Sequence, residues 1–127
     1  MIKWLDRCLI TSPIYYALCL DEKSFKQELK ARKLAKEDWP AFIKNEYSNA
    51  TTHFFVRNNT VTAIVCFKNN KFDLQQIHAL LLHEAVHIWQ DIKLQIGEHN
   101  PSQEFEAYAI QALAQNLFYA YKKMTKK

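Results

Sequence analysis

A single glycine, Gly97, stands in a chain of 127 residues. Walker-type phosphate loops and the GxGxxG dinucleotide turn each need several glycines, so both are excluded. Tight primed hairpin turns also draw on glycine, which disfavours a long β meander. With 49% hydrophobic and 13% aromatic residues the chain has the material for one core, and its length suits one domain rather than two. No repeat, low-complexity stretch or Gly/Pro/Ser-rich linker interrupts it, so a single domain over residues 1–127 is expected.

The 17 Lys and Arg outnumber the 13 Asp and Glu by four, and Lys122, Lys123, Lys126 and Lys127 all lie in the last six residues. The basic character is a tail, not a face, and no nucleic-acid groove is expected. Cys8, Cys19 and Cys66 form no CxxC pair, and free cysteines of this kind behave as small buried hydrophobes. The uncharged run Cys8 to Leu20 is shorter than the roughly 20 residues that span a bilayer. It carries Thr11, Ser12 and Pro13 in its middle and lacks a small-x-small cleavage site. The expectation is a cytoplasmic protein with no membrane association.

Local patterns sketch the elements. Met1 to Ile10 is ambiguous, with a short helix carrying Trp4 and Leu5 inward as one reading. Ile14 to Leu20 reads as a buried strand. Ser24 with Gln27 gives a capping-box signal for a helix reaching about Ala35, and Trp39-Pro40 closes that region. Thr51 to Arg57 and Thr60 to Phe67 are strands around an Asn58-Asn59 turn, since Asn tolerates positive φ. Lys68 to Lys71 is a polar turn. Asp73 caps a long helix that runs to Gly97. Asn100-Pro101, with Gln103 in the capping-box position, starts the last helix. The fold class is α+β: a small antiparallel sheet, then two long helices, the second of them C-terminal.

The chemistry sits in that first long helix. His83-Glu84-Ala85-Val86-His87 is an HExxH sequence. At about 100° per residue the two histidines lie about 40° apart on the wheel, and Glu84 about 60° beyond His87. Two imidazoles one turn apart can share one Zn²⁺, and the glutamate beside them can act on a metal-bound water. The flanking Ala79-Leu80-Leu81-Leu82 and Ile88-Trp89 are too apolar for a merely solvated stripe, and half-buried polar groups in such a setting need a partner.

A third protein ligand is required for a catalytic site. The metzincin spacing would place a His at Lys93, and no histidine follows His99, so metzincin and SprT-like patterns both fail. His99 is a weak candidate. Glu104 and Glu106 remain, about 200° apart on their helix, so only one of them can face the metal. Glu106, Asp91 or Gln103 can orient a ligating imidazole through its second nitrogen. His78, about 140° from His83, stands apart from the site as a packed or surface histidine. His53 carries no local signal.

HEAVH followed by a helix opening EFEAY resembles the gluzincins, whose third ligand is a glutamate on the downstream helix. The Glu-x-x-Ala pattern, Glu104 and Ala107, is similar to that of the ImmA/IrrE-type peptidases and to the E-x-x-A-D of the membrane CAAX proteases. The resemblance implies a minimal zincin metallopeptidase with Zn²⁺ on His83, His87 and Glu104 and with Glu84 as the base. Tyr108 stands where the membrane proteases have Asp, which implies a phenol able to hydrogen-bond a ligand or oxyanion. From MIKWLDR through EFEAYAIQ the chain also resembles a group of small proteins of tailed phages and prophages, which implies a host-cytoplasmic setting. The expected partner is a protein or peptide substrate. The rival is a phage-encoded protein-binding module with a structural or vestigial zinc site. Nothing in the sequence sets an oligomeric state.

Overall fold

The computed structural model describes residues 12–68 and 72–126. The expected N-terminal segment, with Trp4, Leu5 and Cys8, and most of the Lys68 to Lys71 turn lie outside the described residues. The elements are β1 (Ile14–Cys19), α1 (Glu22–Ala31), a 3₁₀ turn (Lys36–Asp38), β2 (Ala50–Arg57), β3 (Thr60–Phe67), α2 (Leu74–Gln95) and α3 (Gln103–Met124). Among the described residues this is an α+β arrangement of a three-stranded sheet and three α-helices.

The strand order is β1-β3-β2. β2 and β3 form the expected antiparallel hairpin, and Asn58 and Asn59 both take positive φ, 51° and 63°, as a type I′ turn demands. β1, however, pairs parallel with β3, from Ile14↔Val61 to Cys19↔Cys66. The expected antiparallel sheet is therefore mixed. A hairpin announces its direction through its turn, whereas β1 meets a partner beyond an intervening helix and strand, and no local signal sets that direction. β1 and β3 do read as near-continuous apolar runs, which suits strands covered on both faces.

Both faces are covered. Val61, Ala63, Val65 and Phe67 of β3 join Leu81, Ala85, Ile88 and Leu117 of α2 and α3 in one core. Ile64 and Cys66, on the opposite face, pack with Phe25 and Leu29 of α1 and with Phe42 and Phe55. Cys19 and Cys66 are buried and free, and burial pushes both thiols above the usual cysteine range. They are small hydrophobes, as expected. Thr60 to Phe67 leads into the turn before the HExxH helix, and its sequence predicts an exposed edge strand beside the site; β3 is instead the central strand, and that expectation fails. The edge is β2.

Helix ends refine the sequence reading. α1 is capped by Asp21, whose carboxylate accepts from Ser24 N at 2.7 Å and from Ser24 Oγ at 2.8 Å. Ser24 is thus inside the helix. α1 ends at Ala31, short of Ala35, because Lys33 turns left-handed at φ 59°. Bonds from Leu34 N to Leu29 O and from Lys33 N to Lys30 O then complete a Schellman motif. α2 has the expected Asp73 cap, in a full capping box with Gln76. Its far end is a second Schellman motif, with Gly97 at φ 73° and Glu98 N bonded to Lys93 O at 2.9 Å. α3 is capped by Ser102, which accepts from Phe105 N, and not by Asn100. Pro101 lies before that cap, and Gln103 is the first helical residue.

The two left-handed helix ends, Lys33 and Gly97, have opposite chemistry, and substitutions there should have opposite signs. A Cβ at Gly97 meets nothing within 4 Å, so Gly97→Ala tests the backbone alone and should destabilise by about 1 kcal/mol. Lys33→Gly should stabilise by about 0.5 kcal/mol, once the flexibility of glycine in the unfolded chain is set against the relieved strain. Urea-denaturation midpoints of the two variants check both signs.

Candidate metal centre

α2 lies on the sheet through Ile77, Leu81, Ala85, Ile88 and Ile92, all buried. That stripe fixes the rotation of the helix. His83 and His87 fall to one side of it and are exposed. Glu84 sits about 40° from Ile88 and about 60° from His87 on the wheel. It is the one charged side chain buried among the described residues. The histidines thus face solvent over the rim of the sheet, with the carboxylate tucked beneath them.

The rings converge. His83 Nε2 and His87 Nε2 are 3.1 Å apart, with the ring planes at 76°. Two nitrogens about 2.0–2.1 Å from one tetrahedral zinc would be separated by about 3.3–3.4 Å. The pair is within a few tenths of an ångström of that spacing. His87 Nδ1 lies 3.1 Å from Gln90 Oε1, an oxygen that only accepts. Nδ1 therefore carries the proton of the neutral ring, and Nε2 presents its lone pair. The partner that orients this ring is Gln90, not Glu106, Asp91 or Gln103.

These groups line a groove of about 490 Å³. Its other wall is the edge strand β2 and the segment before it, through Lys44, Thr51, Thr52 and Phe54. Thr52 Oγ1 donates to Glu84 Oε2 across the groove floor. None of these wall residues was visible as a site residue in the sequence. Gln90 had a readable signal, three residues after His87 on the same helix. Thr52 had none, because its partner is 32 residues away.

The proposed third ligand stands apart. Glu104 is exposed near the start of α3, and neither it nor Tyr108, 65% exposed, lines the groove. Among the described residues no group of three or more His, Cys, Asp or Glu side chains gathers closely enough to hold an ion. The donors fit the two-nitrogen half of a zinc site and leave the third protein position unsupplied. Glu106 is committed elsewhere: its Oε2 accepts from Trp89 Nε1 at 2.8 Å and from Lys93 Nζ at 3.4 Å. Of the two α3 glutamates, Glu104 is the one left with no such bonds among the described residues. Asp91 lines the groove but accepts from Gln95 Nε2 at 2.7 Å.

The other histidines do not join. His78 stacks on Phe118 at 4.3 Å, a packed histidine. His53 lies on the far face of the sheet, stacked on Phe25 at 4.9 Å with Nε2 3.1 Å from Phe42 O. His99 is exposed in the turn after α2. No helix among the described residues is long and apolar enough to cross a membrane. Comparison with protein-family models, curated proteins and solved structures finds no significant match.

Glu106 generates a prediction about pH. The Trp89 N–H, with Lys93 beside it, holds the carboxyl below the usual glutamate range. A depressed folded pKa gives stability that is present above the unfolded value, about 4.3, and is lost as pH falls through the folded one. Glu106→Gln should lower stability at pH 7 and flatten its decline below about pH 4.3. Urea titrations at pH 7, 4 and 3 measure this. An unchanged pH slope would remove Glu106 from the acid response.

Proposed function

We propose that the chain is a zinc-dependent metallopeptidase of minimal zincin type. The observation that carries the reading is the convergence of the His83 and His87 Nε2 atoms at 3.1 Å beside a buried Glu84. With His87 protonated on Nδ1, the 3.1 Å contact is a hydrogen bond from His83 Nε2–H to His87 Nε2, and a metal that displaced that proton would use both nitrogens. Zinc in that position would supply Lewis acidity and lower the pKa of water to about 7. Glu84 would accept the proton and pass it to the leaving amine. Gln90 keeps His87 in the tautomer that presents Nε2.

The wall opposite the histidines favours a peptide as substrate. Among the described residues β2 pairs with β3 on one side only, so its other edge would offer backbone N–H and C=O groups to an extended chain. An open groove of this kind would hold a free peptide weakly, and a protein substrate with an extended segment fits better. By its resemblance Glu104 is the third ligand, and the commitment of Glu106 to Trp89 and Lys93 supports that choice between the two. Tyr108 would then act as a donor to the reacting carbonyl.

One observation favours the rival reading, a protein-binding module with a structural or vestigial zinc site. Glu104 and Tyr108 lie off the groove. The experiment that separates the two takes zinc content first. Purified protein should hold about one zinc per chain, as a three-ligand site does, and His83→Ala with His87→Ala should empty it. Glu104→Ala should lower zinc affinity far more than Glu106→Ala. Glu84→Gln should keep zinc and lose hydrolysis of a casein substrate by at least about 10²-fold. Zinc retained by the double-histidine variant ends the zincin reading. Unchanged affinity in Glu104→Ala, with no hydrolysis in the wild type, selects the binding module.

A further inference from the structure

Resting on the peptidase reading, we propose that Thr52 is the positioning residue for Glu84. Its hydroxyl holds one carboxylate oxygen so that the other is left to take the proton. Glu84 is 5% exposed, and a carboxylate in such a place needs hydrogen bonds to remain there. Its own helix supplies none: Leu80, Leu81 and Ile88 are apolar, and the two nitrogens of His87 are turned to Gln90 and His83. The donor comes instead from β2: Thr52 Oγ1 to Glu84 Oε2. Oε1 has no hydrogen-bond partner among the described residues, and Glu84 lines the groove with His83 and His87.

The strand delivers that hydroxyl with little freedom. Thr52 is paired in register with Val65 of β3, which is fully buried, and a β-branched side chain in a strand is stiff at χ1. Thr52 also stands on the edge strand where an extended substrate would pair. The same element would therefore seat the peptide and set the orientation of the base. A carboxylate without this bond could rotate away or recruit water to both oxygens, and its proton-accepting atom would no longer be fixed.

The test uses the zinc-loaded full chain and its cobalt(II)-substituted form, in the wild type and in Thr52→Val, Thr52→Ser, Thr52→Ala and Glu84→Gln. Zinc affinity, by chelator competition, should stay near the wild-type value in all of them, because none removes a ligand. In casein hydrolysis Thr52→Val and Thr52→Ala should lower kcat by about 10–100-fold with KM unchanged, the usual cost of losing an orienting partner. Thr52→Ser, which keeps the hydroxyl, should restore most of it. The cobalt absorption of Thr52→Val should shift in the same sense as that of Glu84→Gln, while Thr52→Ser stays like the wild type. Equal losses in the Val and Ser variants would show a packing role and overturn the proposal. Wild-type kcat and wild-type spectrum in Thr52→Val would overturn it alone, leaving the peptidase reading intact. Should casein stay uncut by a metal-loaded wild type, the cobalt comparison decides. A wild type that binds neither metal overturns the peptidase reading and this inference with it.

Discussion

The contact between the apolar stripe of α2 and the sheet determines everything around the candidate site. Leu81, Ala85 and Ile88 are completely buried in the core that α2 shares with the sheet and α3. Leu81 and Ile88 each contribute about 1.5–3 kcal/mol by leaving water, so rotation of this helix is strongly resisted. With the rotation fixed, 3.6 residues per turn leaves no choice about the rest. His83 and His87 must clear the rim of the sheet, and Glu84 must pass beneath it. A metal site assembled on such an element inherits its rigidity, which a loop of the same composition would not provide.

Two carboxylates show how the same physics serves different ends. Glu106 is half-exposed and tied to an indole N–H and an ammonium. Both donors favour its charged form, and its task is to join α3 to α2. Glu84 is buried and receives one neutral hydroxyl, which satisfies part of what a carboxylate can accept. A group meant only to stabilise the fold would be better served by more donors or by an apolar replacement. A largely buried carboxylate that opens on the groove beside two converging imidazoles is what makes this corner of the molecule a candidate for chemistry.

The sequence made the α-helices, the β2–β3 hairpin and the HExxH geometry legible because each rests on local rules. Asp73 and Gln76 close a box within one turn, Asn58-Asn59 takes the φ values that such a pair tolerates, and His83 and His87 share a face by helical period. The direction of β1 was not legible, since parallel pairing depends on a partner more than forty residues away. For the same reason β3 was taken for an edge when it is the centre. Competition between neighbouring caps also misled: Asp21 precedes Ser24, and Ser102 follows Asn100, and in each case the residue adjoining the first helical turn wins. Thr52 was invisible because nothing in TTHFFVR says which alternate residue will meet an acid on a helix still to come.

The mixed sheet has a consequence for access. Had β1 paired antiparallel on the other side of the hairpin, β2 would be the inner strand and the groove wall would carry no free backbone. With the order β1-β3-β2, the hairpin turns its outer strand toward the histidines. The outward-lying Phe54 and Val56, 40% and 73% exposed, stand on that same strand. Exposed edge strands invite pairing with other chains, and proteins usually blunt them with charge or proline. β2 carries neither between Ala50 and Val56. An edge with no strand partner among the described residues, beside two converging imidazoles, is the feature that the proposed extended substrate would use.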